Sequence, residues 1–156
     1  MSSKTFKPLE TIRKHRLDKA ELAVSKAIAR LKEADQALAS AHHYVEVCNQ
    51  ELLQTFARLA TVGDVEFIEI VRARYAIDDA REAIAQAKDQ VKACEEKRQT
   101  VDEEVQDARR HVSQCQRSLD AMEVIIGRMR DEEAELEFAK EEDAVEDMAM
   151  SRPKKK

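Results

Sequence analysis

An apolar residue recurs every seven positions from Leu17 to Leu59, through Val24, Leu31, Leu38, Val45 and Leu52. A small residue follows three places after most of them: Ala20, Ala27, Ala34, Ala41, Cys48 and Thr55. The rhythm breaks in the stretch LATVGDVEF around Gly63, then restarts as Ile70, Ile77, Ile84, Val91, Arg98, Val105, Val112, Leu119 and Ile126. Its companion positions are Ala73, Ala80, Ala87, Cys94, Val101, Ala108, Cys115, Met122 and Met129. A seven-residue repeat sustained this long is the a/d seam of a coiled coil, and it leaves little choice of fold class. The chain is expected to be all-α. With 4% aromatic residues, 38% charged residues and only two glycines and two prolines, it lacks the side chains and turns of a globular core.

One break between two heptad runs predicts two long helices in an antiparallel coiled-coil hairpin. The turn is expected at Val62–Asp64, with Gly63 in a left-handed conformation ending the first helix and Asp64 capping the second. Helix 1 is expected over about 8–60 and helix 2 over about 65–140. Residues 1–150 then form a single hairpin, and 141–156 a charged, disordered tail. In an antiparallel pair each a residue faces a d residue. A tight turn at Gly63 sets Leu52 opposite Ala73, Val45 opposite Ala80, Leu38 opposite Ala87 and Cys48 opposite Ile77, so large meets small. It also sets Arg98, the one charged a residue, opposite Ala27 with room to leave the seam. The size alternation and Arg98 are expected to fix this register more than the charges of Asp35 near Lys88, Arg58 near Glu69 and Arg30 near Lys97. A swapped dimer would make the same contacts, but the Gly63–Asp64 turn favours the closed hairpin.

The arms are unequal. In this register Leu119 is opposite Phe6, while Met122, Ile125, Ile126 and Met129 have little to cover them, because the phase slips before Leu17 at Leu9 and Ile12. Gly127 in that stretch costs about 1 kcal/mol of helix stability. Near the turn, Phe56 and Phe67 are at e positions and are expected to touch across the seam. Ile68, Val71 and Tyr75 point outward beside Arg72, with Val47 extending the patch.

Charge is unevenly placed within the net −5. Residues 4–32 hold nine basic side chains against Glu10, Asp18 and Glu21, and residues 131–147 hold ten acids against Lys140. No basic stripe runs the length of either helix and the acidic block repels phosphate, so nucleic acid is not an expected partner. No apolar run approaches a membrane span, and MSSKTFKPLE has no hydrophobic stretch of a secretory signal, so no membrane insertion and a cytoplasmic location are expected. Three cysteines, all at d positions, fit buried thiols in a reducing compartment. Glycine-rich phosphate loops, nucleophile elbows and metal-ligand clusters are absent from the sequence, so no enzyme, catalytic residue or cofactor is expected. His15 and His111 at similar heights are too few ligands for zinc.

The opening LETIRKHRLDKAELAVSKAIARLKEA (residues 9–34) resembles the YscO/FliJ/HrpO family of type III secretion stalk proteins. The matching residues are Leu9, Ile12, Arg13 and Arg16, followed by Ala20 and Glu21 leading into alanine-rich heptads, with a single central turn and a charged C-terminal segment. The resemblance implies a non-enzymatic stalk whose terminal end enters the pore of the hexameric type III secretion ATPase. Its tip would point to the export gate protein at the cytoplasmic face of the inner membrane, and some members also handle secretion chaperones. Exposure then assigns Ile12, Arg13, Arg16, Ile125, Arg128 and Met129 to the ATPase, and Val47, Ile68, Val71, Arg72 and Tyr75 to the gate or a chaperone. A general coiled-coil adaptor unrelated to secretion, or a holdase gripping unfolded clients, would share the same heptads.

Overall fold

The computed structural model describes residues 3–61, 63 and 66–151, and among them the chain forms two α-helices and no strand. The first, α1, spans Ser3–Ala60, and the second, α2, spans Phe67–Met150. They pack against each other as a helical hairpin, as the paired heptads require.

The helix ends differ from expectation in four ways. α1 begins at Ser3, earlier than residue 8, and carries Pro8 in its second turn, where the missing N–H forfeits one intrahelical bond. It closes at Thr61, whose N–H (3.4 Å) and Oγ1 (2.9 Å) both donate to the Arg58 carbonyl. Gly63 is not at positive φ, and a Cβ built on it would meet nothing within 4 Å, so no left-handed glycine cap ends the helix. The other two residues of the expected turn, Val62 and Asp64, lie outside the described residues. Glu66 takes the position expected of Asp64: its carbonyl accepts the N–H groups of Glu69 (2.9 Å) and Ile70 (3.3 Å) at the head of α2.

At the far end α2 continues to Met150, and Ser151 finishes it by donating to the Asp147 and Met148 carbonyls. Residues 141–150, expected to be disordered, are therefore helical. They hold Glu, Ala and Met with no Gly or Pro, a run of high helix propensity. Residues 152–156 lie outside the described residues.

The chain divides into two compact units, Val24–Ala108 and the pairing of Met1–Ala23 with Arg109–Lys156. In Val24–Ala108 the seam is as the repeat predicts. Ala27, Ala34, Ala41 and Cys48 of α1 are buried, as are Ile84, Ala87, Val91, Val101 and Val105 of α2. The register is not as predicted. Cys48, Ile84 and Ala87 form one cluster with Val45 and Leu52 packed on it, so Cys48 meets Ile84 and Val45 meets Ala87. That is one heptad from the expected pairing.

The ion pairs follow the same shift. Arg98 Nε donates to Asp35 Oδ1 at 2.6 Å, and Arg30 Nη1 reaches Glu104 Oε2 at 3.1 Å, in place of the expected Asp35–Lys88 approach and Arg30–Lys97 proximity. The expected Arg58–Glu69 pair is absent among the described residues. Arg98 now falls level with Ala34, not Ala27, and its guanidinium leaves the seam for the exposed Asp35 carboxylate. Such a solvent-exposed pair is worth about 0–1 kcal/mol, too little to set register by itself.

The reason for the shift is geometric. Sliding one helix by seven residues keeps every a opposite a d and nearly every large residue opposite a small one, Leu31 against Val101 being an exception. Seam chemistry alone therefore leaves the choice to the connection, and six residues of sequence separate the end of α1 at Ala60 from the start of α2 at Phe67, more than a tight turn needs.

In the other unit the shift reverses an expectation. Leu119, Met122 and Ile126 are buried (6%, 6% and 3% exposed) and Met129 is half-buried, so this end of α2 is covered. The heptad does not slip before Leu17. It continues through Arg13, Glu10 and Phe6, all half-buried, while Leu9 and Ile12 lie outside it and are about half exposed (47% and 48%). The seam changes from apolar to polar without losing its phase.

Candidate interaction surfaces

The terminal surface is built on that polar seam. Arg13 sits at a d position, and its Nη1 donates to the Ser118 carbonyl (2.6 Å) and to Ser118 Oγ (2.5 Å) across the pair. An arginine that satisfies a carbonyl and a hydroxyl on the facing helix is held in place by charge-assisted hydrogen bonds. Glu10, one step along the seam, accepts from Lys14 Nζ at 2.6 Å. That hydrogen bond and the charge of Lys14 hold the Glu10 carboxyl below its ordinary range, with a smaller contribution from Arg130 and against a small opposing effect of burial. The same contact raises the Lys14 ammonium.

Glu10, Glu123, Ile126, Gly127 and Arg130 line a small cavity of about 250 Å³. Gly127 is half-buried, and a Cβ added there meets nothing within 4 Å. Gly127→Ala is therefore expected to stabilise the chain by about 1 kcal/mol through helix propensity, with no clash to offset it. A rise in urea midpoint at unchanged slope would show this.

Of the six residues assigned to the terminal surface, the structure separates three roles. Ile12, Arg16, Ile125 and Arg128 are exposed, with Ile12 and Ile125 near half exposure (48% and 51%). Met129 is half-buried in line with the seam. Arg13 is engaged with Ser118 and belongs to the frame, not to the free surface. Sequence reasoning missed Leu9 and Val124, which are exposed at 47% and 54%. Leu9 could have been found by carrying the heptad past Leu17, since the phase places it outside the seam.

At the tip, Ile68 (57%), Tyr75 (68%) and Arg72 are exposed, whereas Val47 and Val71 are half-buried. Phe56 and Phe67 do not pack together as expected: Phe67 is 79% exposed, because the shifted register moves it away from Phe56. Phe56 instead lines an open groove of about 540 Å³ with Leu59, Ile70, Ala73, Arg74 and Ile77. Ile70 occupies an a position yet is 54% exposed. The register puts it level with residue 62, beyond the end of α1, so the seam has run out of partner there.

The cysteines are free thiols, Cys48 buried and Cys94 and Cys115 half-buried. His111 Nε2 lies 3.8 Å from Cys115 Sγ on the same helix face, and the shift separates it from the height of His15. Among the described residues no three His, Cys, Asp or Glu side chains are grouped to hold a metal ion, and no helix is long and apolar enough to cross a membrane. Comparison with protein-family models, curated proteins and solved structures finds no match for this chain.

Proposed function

We propose that this protein is a non-enzymatic stalk of a type III secretion system, working at the cytoplasmic face of the inner membrane. Its terminal end enters the hexameric secretion ATPase, and its tip meets the export gate or a secretion chaperone. The observation that carries the reading is how the Leu9, Ile12, Arg13, Arg16 motif is divided in space. Arg13 locks the two helices through Ser118, and that leaves Leu9, Ile12 and Arg16 outside the seam as a mixed apolar and basic surface. A rigid helical pair presenting such a face suits insertion into a ring, where each contact is small and the scaffold must not bend. At the tip, Ile68, Tyr75 and Arg72 supply the second surface.

The test is crosslinking and recovery of the full chain from its native cytosol, followed by identification of what accompanies it. A hexameric secretion ATPase is expected with the wild type, lost with I12E/R16E and retained with Y75A. Arg13 is left unchanged, because its substitution would disturb the seam. Recovery of no ATPase, or recovery unaffected by I12E/R16E, would leave a general coiled-coil adaptor as the better reading.

A further inference from the structure

The last turns of α2 carry an apolar stripe that the hairpin does not use. Seam positions there hold Leu136, Lys140, Asp143, Asp147 and Met150. The three charged residues end the a/d core, Leu136 and Met150 are themselves exposed (62% and 86%), and none of residues 134–150 is buried. Further apolar side chains fall at the outer f and b positions: Phe138 is 61%, Val145 66% and Met148 72% exposed. Glu141, Glu142 and Glu146 line one shallow groove with Phe138 and Val145. These three glutamates form no ion pair among the described residues.

The same unit presents a matching face on α1. Leu9, Ile12, Arg16 and Lys19 occupy successive g and c positions, so they form one stripe on the flank of the seam, and all four are exposed. Arg16 and Lys19 also form no ion pair among the described residues. The two stripes share an order along the chain, with an apolar start followed within about two turns by charge, of opposite sign in the two. Laid parallel, Phe138 meets Leu9 and Ile12, and the glutamates meet Arg16 and Lys19. Within one molecule both stripes point away from the pairing that joins α1 and α2, so neither is in place to cover the other.

We propose that the occupant is a second copy of this chain. The acidic, apolar stripe around Phe138 of each copy docks on the Leu9–Lys19 stripe of the other, giving a two-fold dimer through the terminal units. The interface is isologous, since each copy gives one acidic stripe and receives one. Charge complementarity fixes its orientation and makes it salt-sensitive, and the small apolar contact sets a dissociation constant of about 1–100 μM. The dimer engages the same Leu9–Arg16 face that the stalk reading gives to the ATPase, so under that reading it is the resting form and must open before insertion. Its test uses the protein alone and does not turn on that reading.

The experiment is sedimentation equilibrium on the full chain at low salt, with two charge-reversed forms, E141K/E142K/E146K and R16E/K19E. All five positions are exposed, and Glu, Lys and Arg have similar helix propensity, so circular dichroism should report unchanged helix for both. The wild type should show twice the 17.8 kDa chain mass and fall to the chain mass as salt is raised. Each reversed form alone should remain at the chain mass, because its stripes now carry the same sign. An equimolar mixture of the two should recover the dimer, since each tail then meets an opposite face. A wild type that stays at 17.8 kDa to about 0.5 mM, a dimer that survives in the separate reversed forms, or a mixture that stays monomeric would each overturn the proposal.

Discussion

Ile126→Ala should lower the stability of the hairpin by about 2–4 kcal/mol, whereas Ile125→Ala should cost less than about 1 kcal/mol. The two residues are neighbours of identical chemistry, so the contrast isolates burial. Ile126 is 3% exposed and sits in the seam behind Glu10, beside the cavity that Gly127 and Arg130 also line. Removing its three outer carbons forfeits their transfer free energy and enlarges a space that a helix pair can collapse only in part. Ile125 is 51% exposed, and truncation there removes atoms that water already reaches. Urea unfolding followed by circular dichroism reads both. Equal small effects would mean that the end of α2 is bare and that Phe6, Glu10 and Arg13 do not continue the seam.

Ala87→Leu should destabilise by about 2 kcal/mol, for the opposite reason. Ala87 is 2% exposed and meets Val45 in the Cys48–Ile84 cluster. Large-against-small layers bring the backbones close, so the added branch has no rotamer free of the facing helix. The distinctive outcome is which second change relieves it. Val45→Ala restores space at the same layer, and a double-mutant cycle should show a favourable coupling of about 1 kcal/mol between positions 45 and 87. Leu38→Ala, at the position facing Ala87 in the tight-turn register, should show coupling near zero. The reverse pattern would restore the tight-turn register.

These two experiments fall where the sequence was legible in part. The seam was fully legible: the a and d residues named from spacing between Leu17 and Met129 are buried or half-buried, apart from Ile70 and Arg98. Spacing reports which face of a helix is inward, and burial follows from that. Register was not legible. The large and small residues alternate with the same seven-residue period as the helix contacts, so a slip of one heptad reproduces nearly every favourable layer. Arg98 meets an alanine in both registers, Ala27 or Ala34, so neither it nor the size alternation fixes the choice, and a tight turn at Gly63 is the remaining guide. Gly63 turns out to need no positive φ, and Glu66 heads α2 in place of Asp64.

The error then spread to the terminal surface. Leu9 and Ile12 look like a break in phase in the sequence because Glu10 and Arg13 are poor seam residues by type. Arg13 becomes acceptable only through its bonds to Ser118, a pairing that spans both helices and leaves no local signature. The exposed parts of both surfaces, Ile12, Arg16, Ile125 and Arg128 at one end and Ile68, Arg72 and Tyr75 at the other, survive the shift. They lie off the seam in any heptad-related register.

Register decides whether Ile126, Met129 and the rest of that end of the seam are covered, so it is the first thing to measure. Cys48 is a native, buried probe of it. In a chain carrying C94S and C115S to leave one thiol, I84C or I77C is added and the protein is oxidised under dilute conditions. The bond is mapped by mass spectrometry. A disulfide joins two cysteines only when their Cα atoms come within about 7 Å. The structure predicts rapid intrachain closure from Cys48 to I84C, which it packs in the same cluster, and little from Cys48 to I77C. Preferential closure to I77C would contradict it, and would return Ile126 and its neighbours to an uncovered end.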